Sequence, residues 1–260
     1  MKTKAVVDYI VGWLTDYCEK AGLNGFVTGI SGGVDSAVTS TLCAKTGKTT
    51  HVLNLPIYQA ADQDSLAKRH IAWLRDRYPA VKNHTMDLSP VLDSFQETLP
   101  KEIQDGLVLA NMRSRIRMIA LYAFAGHHGL LVTGTGNKVE DYGVGFFTKY
   151  GDGGVDIAPI ADLMKSEVRM LAREIGILPE IADAVPTDGL WADNRSDEEQ
   201  IGATYEELEW AMRFDASEEG EKDLTGRKKE VLAIYRRLNS ANRHKMAPVP
   251  VAKIPDDLRR

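Results

Sequence analysis

The stretch Ser31-Gly32-Gly33-Val34-Asp35-Ser36 lies between an apolar run at residues 25–30 and a run at residues 37–44 with the composition of a helix. This order predicts a β-strand, a loop of small residues and an α-helix. The first turn of a helix leaves backbone N–H groups unpaired and carries partial positive charge. The loop is therefore suited to binding an anion such as phosphate at the carboxyl end of a strand.

The loop lacks the lysine of a Walker A phosphate loop, which reads Gly-x-x-x-x-Gly-Lys followed by Ser or Thr. Gly47-Lys48-Thr49 matches the end of that motif, but the first glycine is replaced by Leu42, and the run follows a predicted helix. Asp35 stands in the loop instead, and a carboxylate beside phosphate oxygens suits Mg²⁺. The loop resembles the SGGxDS signature of the PP-loop ATP pyrophosphatases, which cleave ATP between the α- and β-phosphates. That resemblance alone leaves several ligases and tRNA-modifying enzymes open.

The bulk composition is that of an ordinary globular protein. The chain has 260 residues, of which 43% are hydrophobic and 27% charged, which suits one large α/β domain. The formal net charge of −5 argues against a broad basic surface for nucleic acid. Cys18 and Cys43 form no Cys-x-x-Cys pair, so neither a zinc site nor a redox dithiol is expected. No signal-peptide pattern or membrane-spanning apolar run is present, and the sequence predicts a cytoplasmic protein without a membrane partner.

Apolar strands alternate with amphipathic helices along most of the chain. Strands are predicted at residues 25–30, 50–55, 83–88 and 130–133. Helices are predicted at residues 3–21, 62–77, 107–128, 165–175, 204–213 and 227–238, and the proline-containing tail is expected to be extended. This alternation predicts an α/β fold with a mostly parallel twisted sheet flanked by helices, whose ligands bind at the carboxyl ends of the strands. Residues 141–160 are rich in Gly and Asp and are expected to form a long loop.

Two further runs carry polar groups suited to ligand binding. The run Gly134-Thr135-Gly136-Asn137-Lys138-Val139-Glu140-Asp141 follows the strand at 130–133, and its Glu140 could join Asp35 in holding Mg²⁺. Residues 147–156 are too polar for a core, and they offer Lys149 as a cation for a carboxylate or phosphate. Neither run completes Gly-x-Gly-x-x-Gly, which disfavours a hydride-transferring Rossmann enzyme.

The order and spacing of these runs over nearly the full length resemble the NAD synthetases, PP-loop enzymes that amidate nicotinic acid adenine dinucleotide (deamido-NAD). The resemblance is carried by residues 29–36, 134–138 with Glu140, 147–154 with Asp156, 163–165, 186–187, 197–198 and 244–245. It implies the Rossmann-like PP-loop fold in a single domain over residues 1–260. An ATP-binding core is implied at about 20–175, and a helical, substrate-binding segment at about 176–260.

The resemblance also implies roles for individual residues. ATP would be contacted by Gly29, Ile30, Ser31, Gly32, Gly33, Val34, Asp35, Ser36, Thr135, Lys165 and Thr187. Asp35 and Glu140 would ligate Mg²⁺ and would be catalytic together with Lys165. Deamido-NAD would be contacted by Arg115, Lys149, Asp156, His244 and Lys245. The family also implies a homodimer built by long helices, with the substrate site across its interface.

One departure from the family pattern concerns the arginines of the long predicted helix. Relatives often read Asn-Ile-Gln-Ala-Arg where this chain has Asn111-Met112-Arg113-Ser114-Arg115. On a helix Arg113 and Arg117 share a face and Arg115 points away from it. Arg115 is therefore the substrate candidate, and a structural role is open for the other two.

The implied reaction adenylates the nicotinate carboxylate, after which ammonia displaces AMP. Glutamine-dependent members of the family carry an additional N-terminal amidohydrolase domain. Only a short helix precedes the first predicted strand here, so free ammonia is the expected nitrogen donor. Two alternatives stay open: another AMP-forming PP-loop ligase, and a nucleotide-binding module without catalysis.

Overall fold

The computed structural model describes residues 1–59, 61–184, 186, 196–217 and 224–259, with the side chains of residues 61 and 62 left out. Four strands form the sheet: β1 (Gly25–Gly29), β2 (Thr49–Asn54), β3 (Val81–Thr85) and β4 (Leu130–Val132). The helices of the first half are α1 (Thr3–Lys20), α2 (Val34–Lys45), α3 (Ala61–Arg77), α4 (Ser89–Thr98) and α5 (Gly106–His128). Those of the second half are α6 (Lys165–Glu174), α7 (Pro179–Ala182), α8 (Asp197–Ile201), α9 (Tyr205–Asp215) and α10 (Gly226–Met246).

The sheet is parallel, with strand order β3-β2-β1-β4. The chain builds outward from β1 through β2 to β3 and then returns to the other side of β1 with β4. The order thus reverses between β1 and β4, and in open α/β sheets ligands bind in the crevice at such a reversal. This arrangement confirms the predicted α/β fold and brings the loops after β1 and β4 to one edge of the sheet.

Apolar side chains cover both faces of the sheet. On one face Phe26 and Val52 pack with α1, α2, α3 and α6 in a large buried cluster. On the other face Val27, Leu53 and Val132 pack against Ala125 of α5. A separate cluster holds α8, α9 and α10 against residues 139 and 144. The predicted division of one domain into an ATP-binding core at about 20–175 and a helical, substrate-binding segment at about 176–260 stays a prediction.

The structure differs from the predicted elements around the third strand. β3 covers Val81–Thr85 instead of 83–88, and residues 89–98, for which no element was predicted, form α4. Pro90 lies in the first turn of that helix. Proline is favourable there, because its missing N–H would have no partner within the helix. This preference of proline could have been applied to Pro90, but the apolar pattern of the segment is too short to predict a helix.

The last helix is longer than predicted, since α10 continues to Met246 and the prediction ended at residue 238. Polar residues interrupt the apolar periodicity at the end of this helix, but two of them form hydrogen bonds with a distant segment of the chain. The Asn239 and Asn242 amides each donate a 2.8 Å hydrogen bond, to the carbonyls of Gly143 and Val144 respectively. These contacts stabilise the final turns, so His244 and Lys245 lie on a helix instead of in an extended tail.

Residues 139–144 form a π-helical turn at the start of the segment that was expected to be a loop. Glu140 and Asp141 both belong to this turn. Single π-turns are rare and occur frequently at functional sites. The prediction of a loop from residue 141 is therefore wrong at its beginning. None of the described helices has the length and apolarity needed to cross a membrane.

Histidines that are isolated in the sequence meet on the α5 face of the sheet. His51 of β2 is 2% exposed, its ring centroid lies 4.4 Å from that of His128, and its Nδ1 lies 3.2 Å from Nε2 of His84. Burial, with the charges of His128, His84 and Lys82, lowers the pKa of His51 to about 4. Protonation of this imidazole is therefore unfavourable in the folded protein.

This lowered pKa predicts a loss of stability in mild acid. The unfolded chain takes up a proton on His51 near pH 6.5, whereas the folded chain does so only near pH 4, so stability falls as the pH drops through this window. By pH 5 we expect wild type to have lost about 2 kcal/mol more than a His51→Phe variant, relative to pH 7. Urea unfolding at pH 7, 6 and 5 measures this difference. His127→Gln, at an exposed position, should follow wild type; parallel curves for wild type and His51→Phe would contradict the prediction.

Candidate functional site

The loop after β1 has the geometry of an anion-binding turn. Ser36 donates its hydroxyl hydrogen bond to the Gly33 carbonyl at 2.9 Å, and the Gly33 N–H donates to the Ser31 hydroxyl at 3.2 Å. Gly32 has φ +92°, and a Cβ there would lie 2.7 Å from the Gln63 carbonyl oxygen, so only glycine fits. No side chain caps the N-terminus of α2. Its backbone N–H groups thus remain available to a ligand.

Three charged side chains from distant parts of the chain meet beside this loop. The Lys165 ammonium lies 2.5 Å from Oδ2 of Asp35 and 3.1 Å from Oε1 of Glu140. The Lys165 side chain is 4% exposed, and the two carboxylate side chains are about 15% exposed. Burial alone would lower the pKa of Lys165, but the two carboxylates more than offset it and hold that pKa above its usual value. Lys165 is therefore a cation in the folded protein.

Local hydrogen bonds place the two carboxylates. Asp35 lies in the first turn of α2, where the helix dipole favours a negative charge. Fully buried Asn137 accepts hydrogen bonds from the N–H groups of Val139 and Glu140, at 3.0 and 3.1 Å, and so begins the π-turn. Its amide also lies 3.4 Å from Oδ1 of Asp35. Asn137 thereby links the loop after β4 to the loop after β1.

The two carboxylates suit a magnesium ion. The described residues contain no group of three or more His, Cys, Asp or Glu side chains able to hold an ion by themselves. Mg²⁺, however, is usually held by one or two carboxylates, with water and substrate phosphates as the remaining ligands. Asp35 and Glu140 supply such oxygen donors beside a phosphate-type loop, so the donor set fits Mg²⁺.

Asp141 adds a further carboxylate to the cavity. A Cβ on Gly136 would lie 2.2 Å from Oδ2 of Asp141, so the carboxylate rests directly on the glycine. Burial and then the charges of Glu140, Asp152 and Asp35 raise the pKa of Asp141 to about 8. The position of Asp141 therefore depends on a glycine at 136.

Gly136→Ala is expected to displace the Asp141 carboxylate within the cavity, and this change in the cavity lining should weaken ATP binding. We expect about a tenfold loss of affinity for ATP and a loss of about 1 kcal/mol in stability. Calorimetric titration with ATP and thermal unfolding measure the two effects. The control is Gly126→Ala in α5, where the new methyl group meets no atom within 4 Å and should slightly stabilise the helix. Unchanged ATP affinity in Gly136→Ala would show that the glycine is not needed.

A cavity of about 820 Å³ opens at this edge of the sheet. Its lining includes the predicted ATP group except for Thr187: residues 29–36, Thr135 and Lys165 all border it, as does Glu140. Thr187 lies outside the described residues. The structure therefore brings the described members of the predicted ATP group and both predicted metal ligands into one space.

The residues predicted to contact deamido-NAD lie farther out. The Arg115 guanidinium donates to the Lys149 carbonyl at 3.3 Å, and the Lys149 ammonium donates to the His244 carbonyl at 2.8 Å. Lys245 borders the cavity and donates to the Phe147 carbonyl at 2.7 Å. These four residues thus form a continuous group reaching outward from the cavity.

Asp156 is placed differently. Its carboxylate accepts hydrogen bonds from the Tyr122 hydroxyl at 3.0 Å and from the Val132 N–H at 2.8 Å. Both contacts tie the residue to α5 and β4. Its predicted contact with the substrate stays a prediction.

Two residues at the site, Arg117 and Tyr205, were given no role in ligand binding or catalysis by the sequence analysis. Arg117 borders the cavity and donates to the carbonyl of Leu55 at 2.9 Å and to the Gln59 amide oxygen at 3.0 Å. Tyr205 donates a 2.5 Å hydrogen bond to Oε1 of Glu140. Helix periodicity alone placed Arg117 on a face away from Arg115, but only the packing of α5 shows which face meets the cavity.

Comparison with known proteins identifies the family. A model of the NAD synthase family matches residues 6–249. The NH(3)-dependent NAD(+) synthetase of Sulfolobus acidocaldarius is 38% identical over 208 residues, which are 78% of this chain and 71% of that protein. The protein of the same name from Methanosarcina acetivorans is 34% identical over 94% of this chain and 96% of its own length.

Solved structures with the same fold include enzymes with two different names. NMN synthetase from Francisella tularensis superposes with a TM-score of 0.86 at 31% identity, over 98% of this chain and all of that one. NAD+ synthetase from Burkholderia pseudomallei superposes with a TM-score of 0.72 at 29% identity, over 96% of this chain and 91% of that one. With the family model matching nearly the whole chain and relatives above 30% identity, this chain belongs to the NAD synthase family.

Proposed function

We propose that this chain joins ammonia to the nicotinate carboxylate of deamido-NAD and cleaves ATP to AMP and pyrophosphate. The family is one of ligases that use ATP as co-substrate, and the relatives from Sulfolobus acidocaldarius and Methanosarcina acetivorans are named NH(3)-dependent. The observation that carries the proposal is the meeting of Asp35, Glu140 and Lys165 beside an uncapped helix N-terminus. Such a site suits a reaction in which negative charge develops on phosphate oxygens.

The first step of the proposed reaction transfers AMP to the substrate. A carboxylate oxygen attacks the α-phosphorus, the bond from that phosphorus to the bridging α–β oxygen breaks, and pyrophosphate leaves. The N–H groups of the loop Ser31–Ser36 would hold the departing phosphates, and Lys165 would neutralise charge on them. Asp35 and Glu140 would hold Mg²⁺, which supplies further charge neutralisation on the phosphate oxygens when bound.

The second step forms the amide. The ammonia nitrogen attacks the activated acyl carbon, the bond to the adenylate oxygen breaks, and AMP leaves with its electron pair while the nitrogen loses a proton. Arg115, Lys149, His244 and Lys245 would position the substrate through their donors, as the outward-reaching group suggests. Catalysis would then consist mainly of positioning and electrostatic stabilisation, since no covalent nucleophile is required.

We also propose that the chain forms a homodimer. Apolar side chains remain exposed on α4 and α5, among them Val91, Phe95, Leu107 and Ile119, at 41–61% exposure. Exposed apolar side chains on these two neighbouring helices are compatible with an interface between two copies of the chain. Sedimentation at micromolar concentration should give twice the chain mass of 28.7 kDa. The cytoplasmic location stays a prediction from the sequence.

A second candidate substrate is favoured by one specific observation. The similarity to an NMN synthetase at 31% identity and TM-score 0.86 makes the mononucleotide, nicotinic acid mononucleotide, a reasonable acceptor. Both substrates carry the same nicotinate carboxylate and differ in the adenylate half. The same site could thus perform the same chemistry on either.

The test is incubation with ATP, Mg²⁺ and ammonium, together with deamido-NAD or nicotinic acid mononucleotide in parallel. The proposal expects amide product, AMP and pyrophosphate in equal amounts, with a higher kcat/KM for deamido-NAD. A higher kcat/KM for the mononucleotide would support the second candidate. ATP binding without turnover on either substrate would indicate a non-catalytic module, and amide formation with glutamine but not with ammonium would refute the nitrogen source.

A further inference from the structure

Tyr205 is buried directly behind the charged centre of the site. It is the first residue of α9, it is 3% exposed, and it packs in the apolar cluster formed by α8, α9 and α10. Glu140 and Lys165 border the cavity, whereas Tyr205 is not among the described residues that do so. A role for Tyr205 in catalysis must therefore act through the side chains it contacts.

The hydroxyl of Tyr205 restricts the orientation of Glu140. It donates to Oε1 at 2.5 Å, and the same oxygen also receives the Lys165 ammonium at 3.1 Å. The other oxygen, Oε2, accepts no hydrogen bond from the described residues. Oε1 is thus committed to the protein, and Oε2 is the oxygen left for a ligand in the cavity. Partners that fix a metal-ligating carboxylate in this way orient it and tune its affinity.

The ring of Tyr205 contacts the second member of the centre. The Lys165 ammonium lies 4.7 Å from the ring centroid, within the range of a cation–π contact. One side chain therefore touches both Glu140 and Lys165, with its hydroxyl and its ring face respectively.

The helix that carries Tyr205 is itself fixed to the helix that carries Lys165. Buried Glu209 of α9 accepts hydrogen bonds from the N–H of Ser166 at 2.8 Å and from its hydroxyl at 2.7 Å. Ser166 follows Lys165 in the first turn of α6. The Glu209 carboxylate thereby holds the first turn of α6 against α9 by a contact that is independent of the one between Tyr205 and Lys165.

We propose that Tyr205 is a positioning residue of the amidation reaction, whose hydroxyl holds Glu140 with Oε2 toward the metal ion and whose ring supports Lys165. The inference rests on the proposed function, because it assigns the metal role to Glu140. Asp197 lies 3.3 Å from the same hydroxyl, but the phenol has a single proton, and the shorter contact places that proton on the Glu140 side.

Tyr205→Phe tests the hydroxyl, because it keeps the ring and removes only the donor. The probe is Mn²⁺, with free ion measured by electron paramagnetic resonance in the presence of an ATP analogue whose α–β bridge is a methylene. We expect the affinity for Mn²⁺ to fall about 10- to 100-fold. Affinity for the analogue without metal should change less than twofold. In turnover, kcat should fall while the KM for the nicotinate substrate stays unchanged.

Two further variants separate positioning from packing. Tyr235→Phe is the matched control, because Tyr235 is a buried tyrosine (8% exposed) in the same cluster, and it should match wild type in every assay. Tyr205→Leu also removes the ring, and we expect it to weaken binding of the metal-free analogue in addition, through loss of the support under Lys165.

Two results would overturn the inference. One is wild-type Mn²⁺ affinity in Tyr205→Phe. The other is an equal loss of Mn²⁺ and metal-free analogue binding together with a lowered melting temperature, which would indicate a purely structural role. The positioning role is measured by Mn²⁺ binding, whereas the proposed function is measured by amide formation. If the wild-type protein binds Mn²⁺ and the analogue but forms no amide, the proposed function is refuted, and the effect of Tyr205→Phe on Mn²⁺ binding can still be measured.

Discussion

Replacing Lys165 with methionine is expected to lower the rate of amide formation at least ~10³-fold, comparable to removing a cationic group from a phosphoryl-transfer site. The side chain is 4% exposed and bridges Asp35 and Glu140. Its removal leaves two buried carboxylates facing each other without a cation, so the folded protein should also lose about 3 kcal/mol. Product formation from ATP, ammonium and deamido-NAD measures the first effect, and urea unfolding measures the second.

The control for this prediction is Lys4→Met. Lys4 forms an ion pair with Asp8 on α1, with a side chain that is 80% exposed, and such surface pairs contribute little to stability. This variant should retain wild-type activity and stability. A Lys165→Met variant that retains more than a tenth of the wild-type rate would remove Lys165 from the catalytic role assigned to it.

Asp35→Asn is the second change with a large expected effect. The substitution preserves size and removes the charge, so we expect turnover to fall ~10³-fold or more through loss of Mg²⁺ affinity. The loss of stability should be smaller than in Lys165→Met, because Glu140 still pairs with Lys165 and an amide oxygen can still accept its hydrogen bond. Rates measured over a range of Mg²⁺ concentrations test this, and partial recovery at high Mg²⁺ is the expected signature.

The comparison for Asp35→Asn is Asp16→Asn, at an exposed position of α1, which should match wild type. Binding of ATP without metal should be equal to wild type or tighter in Asp35→Asn, because a negative charge beside the phosphates is gone. Near-normal turnover at ordinary Mg²⁺ concentration would be incompatible with Asp35 as a metal ligand.

The alternation of apolar strands and helices was enough to predict the α/β fold and the position of the loop after β1. These features follow from local rules, namely residue periodicity, glycine at a turn and an unpaired helix N-terminus. The runs at 134–141 and 147–156 themselves indicated Glu140 and Lys149, and resemblance to a family then supplied Lys165, Arg115, His244 and Lys245. The same reasoning missed α4 and ended α10 eight residues early. The last turns of α10 are stabilised by asparagine side chains that form hydrogen bonds with a distant segment. Such contacts cannot be predicted from the periodicity of apolar residues.

The π-turn at residues 139–144 also lay beyond local reasoning. Four of its residues belong to the segment 141–160, which is rich in Gly and Asp and which local propensity interprets as loop. In the structure Asn137 binds the first N–H groups of the turn, and Asn239 and Asn242 bind its last carbonyls. The turn is thus stabilised by a local side chain, Asn137, together with tertiary hydrogen bonds from Asn239 and Asn242.

A strand, a glycine loop and a helix that together make an anion site carrying Asp35 could be predicted from residues 25–44, because those properties depend on neighbouring residues. The charges that surround the site depend instead on the packing of distant segments. Asp35 and Lys165 lie 130 residues apart, and Tyr205 lies 65 residues from Glu140. Such contacts arise from the packing of the sheet and of α6 and α9, and buried charges are tolerated only where this packing brings opposite charges and donors together.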